Sequence, residues 1–181
     1  MAKINGVEIK AVKTFVDHEG AQIAQANVYI NGKKVGFWSQ DSWGGPDNYY
    51  GLEHIITQKA KFFKGGCSSD AKYYDFQDDP DIFMSNLLQL TEDEKLFKKY
   101  IKDGFSTLLI VTDGYHCSMV RFKDKLTKSE IETRSPKTIE SMKENMYKNV
   151  VPKVKVFNSI KDFTIIVDRD HPVPDYIDIG W

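Results

Sequence analysis

Arginine and cysteine are scarce in this chain of 181 residues, and long apolar runs are missing from it. Two cysteines, Cys67 and Cys117, are too few for a disulfide framework, and a chain of this length needs no bridge to hold a core. A structural zinc takes about four nitrogen or sulfur ligands at motif spacing. The scattered histidines His18, His54, His116 and His171 do not supply them, so no metal or other cofactor is expected. The longest apolar run, Leu108–Val111, is far below the roughly 18 residues of a membrane span. The segment Met1–Gly6 lacks the apolar stretch of a secretory signal. A soluble, cytoplasmic protein without a membrane partner is therefore expected. Three arginines (Arg121, Arg134, Arg169) stand against 22 lysines, and the net charge is −1. Arginine is the usual reader of base edges, and no global positive field is present, so a sequence-reading DNA binder is disfavoured. An AT-rich genome accounts for the same lysine bias.

What is present is a core-forming composition, 41% hydrophobic and 13% aromatic. At roughly 100–200 residues per domain, one α+β domain over residues 1–181 is expected, with the tail 168–181 open between an extended and a packed course. Val7–Phe15 reads as a strand and residues 17–20 as a turn. Ala24, Ala26, Val28 and Ile30 alternate with polar neighbours, Asn31-Gly32 is a hairpin signal, and residues 33–40 return as a third strand. An N-terminal antiparallel meander follows. Residues 41–48 read as a loop. From Tyr49 a helix is predicted, with Leu52, Ile55, Ile56, Lys59, Phe62 and Phe63 on one stripe and Gly65-Gly66 as its stop. Lys72–Phe76 is a candidate short strand. Asp79-Pro80 predicts a capped helix running to about residue 90, and Thr91-x-x-Glu94 a capping box that starts another, with Leu96, Phe97, Tyr100 and Ile101 inward. A second hairpin spans 106–122 with its turn at Asp113-Gly114. Ser135-Pro136 opens a helix through Ile139, Met142, Met146 and Val150, closed by Pro152, and strands are predicted at 153–157 and 163–167.

Charge is segregated along the chain. Residues 70–94 hold Asp70, Asp75, Asp78, Asp79, Asp81, Glu92, Asp93 and Glu94 against Lys72, a net −7, while residues 95–128 carry a net +5. Two readings fit the acidic block: a surface studded with Tyr73, Tyr74 and Phe76 that mimics nucleic acid or docks on a basic partner, or acids gathered at helix N-termini. The stretch from Trp38 through Asp41, Trp43, Gly44 and Gly45 to Asp47 is likewise open between a contact loop and a tight turn whose rings cover the sheet end. Neither Gly-Gly pair matches a phosphate loop. Asp47, Asp70 and Lys72 resemble a metal-dependent nuclease set only loosely. Cys67 would sit at a helix C-terminus, which raises a thiol's pKa, so no catalytic residue is assigned.

The string Val12-Lys13-x-Phe15, Glu19-Gly20, Ala26 through Val35 and Asp41-x-x-Gly44-Gly45 resembles small proteins encoded by phages and mobile elements of AT-rich Firmicutes. Trp43 stands where that pattern has a small polar residue. The resemblance implies a context in which accessory proteins block host defence, anti-CRISPR proteins among them. The expectation is a non-enzymatic inhibitor of a host nuclease that binds a bacterial protein, such as an RNA-guided nuclease, and meets nucleic acid only indirectly or by mimicry. Its contact residues would be Trp38, Asp41, Trp43, Asp47, Tyr73, Tyr74, Asp75, Asp78, Asp79 and Asp81. Alternatives are a small metal-dependent nuclease and a self-associating structural or regulatory phage protein; a homodimer is compatible with each.

Overall fold

The hairpin signals are realised as a meander that turns twice on Asn-Gly. The computed structural model describes residues 1–63, 78–112, 116–144, 146 and 152–167. A short strand β1 (Lys3–Ile4) turns at Asn5-Gly6 into β2 (Val7–Val16); β3 (Gln22–Ile30) then turns at Asn31-Gly32 into β4 (Lys33–Ser39). Both turns have positive φ at both central residues, 49° and 77° in the first and 49° and 80° in the second, as a type I′ hairpin demands. A bulge between Lys10 and Lys13, with Ala11 at φ 54°, shifts the register so that Lys13 and Thr14 pair with Gln25 and Ala24. The strand β8 (Thr164–Ile165) adds in parallel beside β1, which gives a five-stranded sheet ordered β4-β3-β2-β1-β8.

The helix predicted from Tyr49 begins later, as α1 (Glu53–Ala60), because Tyr50 and Gly51 occupy the left-handed region. Its stripe is narrower than expected: Ile56 and Ala60 are buried, whereas Ile55 and Phe62 are more than a third exposed. At Gly36 the closeness of α1 is visible, since a Cβ there would lie 2.6 Å from a Leu52 methyl.

The predicted break at Thr91 does not occur, and a single 23-residue helix, α2 (Pro80–Lys102), runs through it. Thr91 Oγ1 donates to the Leu87 carbonyl at 2.7 Å instead of capping a new helix. With Leu87, Leu90 and Phe97 all buried, packing on both sides of residue 91 favours continuity. Asp79 is the N-cap as predicted, accepting from the N–H groups of Asp81 (2.8 Å) and Ile82 (3.0 Å). Ile101 is not inward; it is 43% exposed.

The second sheet, ordered β6-β5-β7, consists of β5 (Thr107–Thr112), β6 (Cys117–Phe122) and β7 (Lys153–Phe157). Two helices cover it: α3 (Lys128–Arg134), an additional helix started by a Thr127/Glu130 capping box, and α4 (Pro136–Glu144). The strand predicted at 163–167 shrinks to β8, with Phe163 in a 3-10 turn (Ile160–Phe163). Leu108, Ile110 and Phe157 join the large core with α2 and the five-stranded sheet. Leu109, Val111, Val154 and Val156 join a second core with Ile131, Ile139, Met142 and Met146. The layers are thus large sheet, α2, small sheet, then α3 with α4, an α+β fold. The Gly65-Gly66 stop, Cys67, the strand at 72–76, the Asp113-Gly114 turn, Val150 and the tail from 168 lie outside the described residues. No helix among the described residues is long and apolar enough to cross a membrane.

Candidate functional site

The two stretches singled out from sequence meet in space, where the loop after β4 touches the start of α2. Ser39 and Asn48 exchange both backbone hydrogen bonds (3.0 and 2.8 Å), which closes residues 40–47 into a stalk-held loop. Inside it, Asp41 Oδ2 accepts from the Gly45 N–H at 2.8 Å, and a Cβ on Gly45 would fall 2.6 Å from that same oxygen. Gly44, at φ 74°, completes a turn that non-glycine residues enter only with strain.

A half-buried polar cluster ties the base of the loop to α2. The Trp38 indole N–H donates to Asp47 Oδ2 at 2.7 Å, and the Asp47 N–H donates to Asp81 Oδ2 at 3.2 Å. The Tyr49 hydroxyl donates to Asp81 Oδ1. Burial, with Asp81 and Asp79 close by, pushes the Asp47 carboxyl up to about 6 against the pull of the Trp38 bond. Burial and the Asp81 carboxylate also hold the Tyr49 phenol firmly protonated. The cluster is a latch between two elements. Among the described residues no group of His, Cys, Asp and Glu has the arrangement to hold a metal.

The two tryptophans part ways. Trp38 is fully buried in the large core, so its role is to cover the sheet end and receive Asp47; as a contact residue it is corrected. Trp43 is 78% exposed, its ring 4.0 Å from that of His18, which sits in the β2–β3 turn. Glu19 lies 3.7 Å from His18 on the same turn. Asp78 accepts from the Phe62 N–H at 2.5 Å and so helps fix the end of α1.

Beside the latch runs a groove of about 560 Å³, between the β2–β3 hairpin (Thr14, Gln22, Ala24) and α2 (Ile82, Ser85, Gln89). Gln40, at the root of the loop, forms part of its wall and accepts from the Ala24 N–H at 2.9 Å. Nothing in the sequence marked this groove, because its walls come from segments more than 40 residues apart.

Among the described residues, the acids of the block do not form one surface. Asp79 caps α2, Asp81 serves the latch, and Asp93 and Glu94 are buried. Glu94 accepts from the Ala2 N–H at 2.9 Å and pairs with Lys98 at 2.9 Å; Asp93 pairs with Lys155 at 3.4 Å. Of Glu92, Asp93 and Glu94, Glu92 alone is exposed. Tyr73, Tyr74 and Asp75 lie outside the described residues, as do Asp70 and Lys72 of the nuclease set, while Asp47 is committed to the Trp38 indole. Burial, then Asp93, hold the Cys117 thiol above its usual range despite the counteracting Lys155, which suits a nucleophile poorly. In comparisons with known proteins, no family model, no curated protein and no solved structure matches this chain.

Proposed function

We propose that this protein is a phage- or mobile-element-encoded binding protein that inhibits a host defence nuclease in the bacterial cytoplasm, in the manner of anti-CRISPR proteins. Its partner is the protein surface of an RNA-guided nuclease, and it contributes no catalytic group of its own. The observation that carries this reading is Trp43, exposed over most of its surface on a loop whose base is pinned by the Ser39–Asn48 pair and the Asp47 latch. A tryptophan held out on a preorganised loop loses little entropy on docking, and tryptophan is the residue type most enriched among interface hot spots. The resemblance of the first 45 residues to mobile-element proteins supports the class of partner.

The test is target-DNA cleavage by purified RNA-guided nucleases of AT-rich Firmicutes, with this protein in molar excess. Inhibition is expected, and Trp43→Ala is expected to weaken it at least tenfold, the loss typical of a hot-spot truncation. Inhibition untouched by Trp43→Ala would overturn the assigned surface; absence of inhibition across the panel would overturn the function.

A further inference from the structure

At the other end of α2 stands a cationic site, and we propose that it binds the phosphate backbone of single-stranded RNA. This goes beyond the protein-docking reading and rests on it only for the choice of RNA, the strand an RNA-guided partner presents. The site is built by the chain folding back on itself. Gly104 reverses the chain after α2, and the Phe105 N–H donates to the Tyr100 carbonyl at 3.0 Å. The Ser106 N–H then donates to the Phe122 carbonyl at 2.9 Å, which brings the end of β6 alongside. Arg121 arrives there with its guanidinium carbon 4.5 Å from the Tyr100 ring and 4.7 Å from the Phe105 ring.

Arg121 is exposed and pairs with no carboxylate among the described residues. Two aromatic neighbours hold a planar fork while its N–H edges stay available for a bidentate anion. Further cations lie close to it or to Tyr100 along the chain. Lys95, Lys98, Lys99 and Lys102 fall at the spacing of one α2 face and are all exposed. Lys95 is paired with Glu92 and Lys98 with Glu94, but Lys99 and Lys102 have no acidic partner among the described residues. Lys123 and Lys125 follow Arg121, equally exposed and without such a partner. The acids nearest in the chain are Asp103 and Asp124, outnumbered by Arg121 and the four lysines without an acidic partner among the described residues.

Helix C-termini attract cations without any ligand, and that accounts for Lys99 and Lys102 alone. It does not account for Arg121, which lies on a strand and forgoes a carboxylate for two rings. Lysine point charges read charge rather than carboxylate geometry, and the exposed plane of a guanidinium held on two rings offers an unstacked base something to stack on. A flexible polyanion with exposed bases fits both features better than an acidic protein.

The test is fluorescence polarisation of a labelled, unstructured RNA of about 20 nucleotides at low salt, with this protein alone and no nuclease present; its failure is therefore separate from failure of the inhibition assay. Micromolar binding is expected, with a log–log salt slope near −0.7 per phosphate contact. Arg121→Ala should weaken binding several-fold, Lys99→Glu with Lys102→Glu at least tenfold, and the Tm should hold for both. Lys33→Glu with Lys34→Glu changes the net charge identically at a distant turn and should leave binding intact. The proposal is overturned if RNA does not bind at low salt, if the Lys33/Lys34 reversal is as damaging as the Lys99/Lys102 one, or if polyglutamate competes as well as RNA. Equal or tighter binding of single-stranded DNA would overturn the choice of RNA.

Discussion

Trp43 and Trp38 lie five residues apart, and their neighbours give them opposite fates. Trp38 sits opposite Ala26 on the inner face of the sheet, where its ring is fully buried and its N–H finds Asp47. Trp43 tops the loop with no core to enter. Trp43→Ala should therefore leave thermal stability within the roughly ±0.5 kcal/mol of an ordinary surface change while weakening the proposed inhibition at least tenfold. A fall in Tm of several degrees would make the ring a structural cover instead. Asp47 supplies a pH test. Its folded carboxyl titrates near 6 against an unperturbed 3.8, so the native state holds the proton more tightly than the unfolded chain. The resulting stabilisation is complete below about pH 4 and is lost as pH rises through 6. Asp47→Asn keeps an acceptor for the indole and abolishes the titration. Relative to Asp47→Asn, the wild type should lose stability between pH 4 and 7, measured as denaturation midpoints across that range; parallel curves would show that Asp47 ionises normally.

At the scale of elements, α2 is the hinge of the design, facing the large sheet on one side and the small sheet on the other. Its joint to the small sheet is the pair Lys155–Asp93, buried at 4% and 5% side-chain exposure, with Gln89 donating to the second Asp93 oxygen at 2.9 Å. Removing one partner leaves a buried charge uncompensated, so Asp93→Leu or Lys155→Met should each cost about 3–5 kcal/mol. The double variant Asp93→Leu with Lys155→Met restores an apolar contact and should recover most of that loss. Urea denaturation of the four proteins closes the cycle, and additive losses would mean that the pair is uncoupled. The same helix shows why a local motif misleads. Thr91-x-x-Glu94 has the residues of a capping box, but Thr91 and Glu94 already have other partners, in the Leu87 carbonyl and in Lys98 and Ala2. The Asn5-Gly6 turn is the opposite case: its signal is as plain as that of Asn31-Gly32, yet the flanking strand β1 has only two residues and shows no alternation to read.

For the whole molecule, the layering sets the order of local stability. The central strand β5 is buried on both faces, between α2 and the α3–α4 layer, with Leu108, Leu109, Ile110 and Val111 at 1% exposure or less. Its amides should exchange only on global unfolding, whereas those of the seven- and nine-residue helices α3 and α4 should open earlier. Native-state hydrogen exchange followed by NMR reads this directly; equal protection in both layers would show one cooperative unit. Charge is arranged on the same scale. The helix of 23 residues, about 35 Å at 1.5 Å per residue, separates the Asp47–Asp79–Asp81 end with Trp43 from the Arg121 end with its free lysines.

Local chemistry along the chain determined the α+β class, the meander, the Asp79-Pro80 start of α2, the second hairpin pair and the Ser135-Pro136 start of α4, because periodicity, turn residues and caps act over a few neighbours; α4 itself stops at Glu144, short of the predicted Met146. It also marked the 38–47 and 78–81 segments before their contact was known. Tertiary structure decided which marked residues face water: it buried Trp38, Asp93 and Glu94, exposed Trp43, and carried α2 through Thr91. It also joined Arg121 to Tyr100 and Phe105. Each of these outcomes depends on partners far along the chain, since burial and pairing are settled only when two layers close on each other.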